Sequence, residues 1–93
     1  MNHKRQFDTR EAAQREAILI WRMIADIDRN VRLLDCDITI EEERARIFDR
    51  SDAGYPMLAK MLAERRDNLK DTITALEGRL SKLDQAETVD ELA

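Results

Sequence analysis

Few residues in this chain carry side chains that could do chemistry, and their spacing limits what that chemistry could be. His3 is the only histidine and Cys36 the only cysteine. A histidine base works only when its ring is oriented beside a nucleophile, and nothing around His3 supplies one. A Cys/His zinc site would need more ligands than this pair offers. The Glu-x-x-His pairs of di-iron bundles are missing as well. Cys36 reads as a small residue beside an interface rather than as a redox or lipidation site. Glu41, Glu42 and Glu43 are consecutive. On a helix they point about 100° apart and cannot converge on one ion. The sequence also has no Gly-rich phosphate loop, nucleophile elbow or Ser/His/Asp arrangement. We therefore expect no catalytic residue, no metal and no cofactor.

Arginines and lysines crowd the middle of the chain: Arg44, Arg46, Arg50, Lys60, Arg65 and Arg66. They alternate with Glu42, Glu43, Asp49, Asp52, Glu64 and Asp67. A nucleic-acid stripe needs its bases segregated on one face. The mixing here predicts helical ion pairs instead, and the net charge of −4 also runs against a phosphate partner.

The elements that carry these residues are legible from apolar spacing. One stripe runs Ile20, Ile24, Ile27, Val31, Leu34, Ile38, Glu41, Ala45, Phe48. A second runs Ala59, Leu62, Arg66, Leu69, Ile73, Leu76, Leu80, Leu83. Both alternate steps of four and three, the mark of helices packed along a narrow seam. Ser51-Asp52-Ala53-Gly54-Tyr55-Pro56 breaks the pattern between them. Gly54 can adopt a positive φ there, and Pro56 suits the start of a helix. Folding back near residue 53 pairs Phe48 with Ala59, Ala45 with Leu62, Ile38 with Leu69, Leu34 with Ile73, Ile27 with Leu80 and Ile24 with Leu83. The only acid in the first stripe, Glu41, then meets the only base in the second, Arg66. This register predicts a buried polar pair. Its role would be specificity rather than stability, because a one-heptad slip would set each charge against an apolar layer.

The predicted fold is all-α: an antiparallel two-helix hairpin, coiled-coil-like, dimerising into a four-helix bundle. Residues 1–7 read as a frayed N-terminus. The first helix spans 8–50, with Asp8 and Glu11 as a capping box and Phe7 as its staple. The turn covers 51–55 and the second helix 56–85. Residues 87–93 form an acidic tail with little to bury. Gly78 falls inside the second helix, either easing a close approach or simply tolerated at the surface. The charged fraction of 39% and only three Gly and Pro residues match long solvated helices.

The first helix has more apolar residues than one seam can use. Leu19, Leu33, Ile40 and Ile47 share a heptad position, and Met23 and Cys36 lie close to it. Leu58, Met61 and the Thr72 methyl extend the surface on the second helix. A regular patch of this kind marks a contact surface. Ile18 and Trp21 belong to a segment that the register leaves overhanging the end of the second helix, where another subunit would cover it. Tyr55 at the turn either docks a partner or folds back to close the end of the hairpin. No apolar run is long enough to cross a membrane and no secretory signal is visible, so a cytoplasmic protein is expected. The function that follows is a small non-enzymatic structural or adaptor protein, self-associating as a homodimer and contacting a protein partner. The alternatives are a nucleic-acid-associated regulator using Arg65, Arg66 and their neighbours, and a helical-bundle cofactor carrier or enzyme.

Overall fold

The computed structural model describes the backbone of residues 2–92 and the side chains of residues 9–85. The described chain forms two helices, α1 (Asn2–Ala45) and α2 (Met57–Leu92), packed against each other as an antiparallel hairpin. No strand occurs among the described residues. The molecule measures 66 × 19 × 14 Å, and its radius of gyration is 20.1 Å. A compact domain of this length would have about 12 Å. The hairpin is therefore a rod, and its interior is one line of side chains. Among the described residues the buried ones are Ile20, Val31, Ile38, Ala59 and Ala63. Ile38 sits on Ala59 and Ala63, with Leu62 and Tyr55 packed around them. The two alanines are almost fully enclosed (0% and 2% exposed). Their small size lets α2 approach α1 closely enough to seat the branched Ile38.

The helix ends differ from the sequence expectation. α1 begins at Asn2, so Asp8 is not an N-cap and the capping-box reading fails. The side chains of Phe7 and Asp8, and that of His3, lie outside the described residues, as do Met1 and Ala93. The frayed segment predicted over residues 1–7 is helical from Asn2, and the acidic tail continues α2 as far as Leu92.

α1 also stops at Ala45 rather than Arg50. Arg46 takes a left-handed conformation (φ 60°). The Ile47 N–H then donates to the Glu42 carbonyl at 3.3 Å. This is the outer bond of a Schellman C-cap, usually built on glycine at the left-handed position. The cause lies in the next residues. The Asp49 carboxylate accepts from the Ser51 N–H (3.0 Å) and from the Ser51 hydroxyl (2.7 Å). Asp52 accepts from the Gly54 N–H at 2.7 Å. The carbonyls of Asp49 and Asp52 each accept from the residue three places on. Ser and Asp side chains offer the backbone local bonds that compete with helix, and here the turn wins from residue 46 onward.

Gly54 has no positive φ; the left-handed residue is Arg46. Gly54 serves close approach instead, since a Cβ there would lie 3.1 Å from Ile47 Cδ1. Nothing lies within 4 Å of where a Cβ on Gly78 would be, so that glycine eases no helix contact.

Candidate interaction surface

The early end of α1 resets the register along the seam. Ile38 packs with Ala59, Leu62 and Ala63 rather than with Leu69. Leu69 and Leu62 are one heptad apart, a displacement of about 10 Å along the helix axis. The far end follows, with Leu80 and Leu83 bordering Ala13 and Ala17 rather than Ile27 and Ile24. The predicted buried pair of Glu41 and Arg66 is consequently replaced. Arg66 donates to Asp35 Oδ1 at 2.9 Å and to Asp67 Oδ1 at 3.2 Å. Glu41 pairs within its own helix, with Arg44 at 3.3 Å. Neither Glu41 nor Arg66 is buried; their side chains keep about a fifth of their surface in water. The new register finds an acid for Arg66 at Asp35, just beside the stripe. A slip by one heptad therefore strands neither charge, contrary to the penalty expected for it.

Three further polar contacts tie the two arms. Arg79 bridges both carboxylate oxygens of Glu16 at 3.0 Å each. That hydrogen bond, followed by the guanidinium charge, holds the Glu16 carboxyl below its ordinary range. Arg50 reaches Asp67 at 3.4 Å. Burial pushes the Asp67 carboxyl up, but hydrogen bonds from Arg66 and Arg50 outweigh it and leave the group below its ordinary range. The Tyr55 hydroxyl donates to Glu42 Oε2 at 2.9 Å. Burial, followed by the hydrogen bond and charge of Glu42, raises the phenol pKa. Tyr55 thus folds back against Ile38, Ala59 and Ala63 and closes the end of the hairpin; it is not presented at the tip.

The remaining predicted contact residues fall into three groups. Leu19, Met23, Leu33 and Ile40 are all about half exposed on α1, and Leu58 and Met61 match them on α2. Ile40, Leu58 and Leu62 border one shallow groove, so the two helices present these side chains on the same side of the seam. Ile47 does not join them. It lies beyond the end of α1, only partly exposed and tucked against Gly54.

Ile18 and Trp21 form the third group. They flank an open groove of about 770 Å³ with Ala13, Ala17, Leu80 and Leu83. They do not overhang the partner helix, because α2 extends far enough to lie beside them. From their heptad positions, this groove lies across the seam from Leu33 and Ile40. Two exposed apolar residues were not anticipated: Met57 at the start of α2 and Phe48, which is 60% exposed. Phe48 is in phase with the first stripe, and only the loss of helix after Ala45 takes it out of the seam.

Three of the five arginines of the central region are engaged. Arg44, Arg50 and Arg66 each bond to an acid. Cys36 is exposed and unbridged. Among the described residues no cluster of three or more His, Cys, Asp or Glu side chains could hold a metal. No helix among them is long and apolar enough to cross a membrane. No protein-family model matches the chain, and comparison with curated proteins and with solved structures finds no similar protein.

Proposed function

We propose that this chain is a non-enzymatic structural or adaptor protein that works through helix-mediated contacts, with self-association into a four-helix bundle as its basic state. One observation carries this reading. Leu19, Met23, Leu33, Ile40, Leu58 and Met61 each keep about half their surface in water, and their heptad positions set them on the side of the hairpin where Ile40 and Leu58 border one groove.

Covering them would recover roughly half of the 1.5–3 kcal/mol that a fully buried apolar side chain contributes. For two copies that is roughly 9–18 kcal/mol, against an association cost on the order of 4–15 kcal/mol. The accessible surface supports the same reading. It is 7458 Å², whereas a compact monomer of this mass has about 5600 Å². The difference exceeds the roughly 800 Å² that each partner gives up in a standard interface.

The second groove, at Ile18 and Trp21, stays free in such a dimer and offers a separate surface to a protein partner. Mixed charge and the ion pairs at Arg44, Arg50 and Arg66 weigh against the nucleic-acid reading. A largely apolar seam, with no nucleophile beside a base among the described residues, weighs against the enzymatic one. A cytoplasmic location is part of the proposal.

Light scattering with solution X-ray scattering tests it. A dimer of hairpins has twice the monomer mass at nearly the monomer length of 66 Å. A monomer at millimolar concentration, or a dimer approaching twice that length, refutes the self-association reading.

A further inference from the structure

The loop end of the exposed apolar side indicates how two copies face each other. Ile40 and Leu58 border a groove of about 300 Å³ together with Leu62, Asp37 and Glu41. Arg44 engages Glu41 at 3.3 Å. Asp37 is exposed, and among the described residues no ion pair or hydrogen bond is formed by its side chain. On α2, Arg65 lies one turn past Met61 and two past Leu58, along the same line of the helix. It too is exposed and makes no such bond. The Arg66–Asp35 bridge places these neighbours at nearly the same height. Arg65 and Asp37 are therefore within about one helical turn of each other along the rod. One side of the hairpin thus presents an unmatched acid on α1, an unmatched base on α2, and apolar side chains on both.

Such a surface is complementary to a copy of itself. A two-fold axis parallel to the rod lays α1 of one copy over α2 of the other. Ile40 then meets Leu58 and Met61 of the second copy, Asp37 faces its Arg65, and symmetry repeats both contacts. All neighbouring helices run antiparallel and both loops share one end. A two-fold axis across the rod instead lays α1 over α1 with the loops at opposite ends. It carries the loop-end patch of Leu58 and Met61 to the other copy's Arg79 and Lys82 end and leaves Asp37 and Arg65 unmatched. We infer that the occupant of this face is a second copy of the chain, docked about the parallel two-fold axis and held in register by reciprocal Asp37–Arg65 pairs. The inference rests on the self-association proposed above and adds its geometry.

Two charge variants test it. Asp37→Arg makes both positions basic, and Arg65→Asp makes both acidic. Each variant alone should dimerise more weakly than the native chain, on the order of tenfold in Kd. An equimolar mixture should form the heterodimer in preference to either homodimer. A spin label at Ala53→Cys in a Cys36→Ser background reads the orientation. The two labels of a dimer should lie well under half the 66 Å rod length apart. Native dimerisation with unweakened variants, random mixing, or labels separated by most of the rod overturns the docking geometry while leaving self-association intact. A native chain that stays monomeric overturns both.

Discussion

Replacing Arg46 with glycine should stabilise the protein, and the sign of the effect tests where α1 ends. Arg46 sits at φ 60°, a conformation that costs a residue with a Cβ roughly 1–2 kcal/mol relative to its right-handed alternative. Glycine removes that cost and regains part of it as extra freedom of the unfolded chain, about 0.4–1 kcal/mol. The net gain is about 0.5–1 kcal/mol, or a Tm rise of about 2–8 °C for a domain of this length. The continuous apolar stripe through Phe48 makes the opposite prediction. If α1 ran on to Arg50, glycine at position 46 would be a helix-interior substitution costing about 0.5–1 kcal/mol. Arg46→Ala should differ little from the native chain, because alanine carries the same left-handed cost as arginine. Urea unfolding followed by circular dichroism at one fixed protein concentration resolves the two signs. A drop in stability for Arg46→Gly refutes the early C-cap and the register that follows from it.

The register itself is read by double-mutant cycles. Asp35→Ala and Arg66→Ala should couple by about 0.5–1 kcal/mol, whereas Glu41→Ala and Arg66→Ala should be additive; reversed results restore the other alignment. Tyr55→Phe removes the hydrogen bond to Glu42 and should cost about 0.5–1.5 kcal/mol in a thermal melt, and Tyr55→Ala should cost more because it uncovers the Ile38 cluster. The Tyr55 pKa is raised in the fold, so its contribution is complete below the unfolded value of about 10 and is lost as pH rises through the folded value. Ultraviolet titration of this single tyrosine should show a late phenolate transition that Glu42→Gln moves downward. On the acid side, Glu16, Asp49 and Asp67 titrate below their ordinary ranges. Their contribution is present above the unfolded values near pH 4 and is lost as pH falls through the folded ones, which pH-jump melts in acid should reveal.

The pattern of apolar steps was enough to give two long helices, their antiparallel pairing and the exposed side with Leu33 and Ile40. It could not give the register. A strict heptad repeat scores every seven-residue slip almost equally well. The choice then fell to the polar exceptions, and Glu41 offered a single partner for Arg66. Asp35 lies just beside the seam stripe, where a long arginine reaches it without taking a core position. The extent of the turn is hidden for a related reason. Gly54 and Pro56 mark a break strongly, but Asp49 and Ser51 form it through side-chain bonds to the backbone. Those bonds become visible only once both residues are seen in place. Arginine at a left-handed C-cap carries no sequence signature at all.

The proposed self-association gives the two sides of the seam different work. Among the described residues only five apolar side chains are buried, two of them alanines. Ten large apolar side chains of the same described residues stay exposed, Trp21 among them at 61%. A two-helix rod cannot change that ratio by repacking, since each helix has one neighbour and most of its circumference faces water. If the chain self-associates as proposed, mass action requires the melting temperature to rise with protein concentration. The same logic separates the two apolar surfaces. Polar replacement at Ile40 or Leu58 should abolish the concentration dependence, because those residues would meet a second copy. Polar replacement at Trp21 or Ile18 should leave it intact, because their groove lies across the seam. If all four replacements behave alike, the two sides belong to one interface and the division drawn between self-association and partner binding fails.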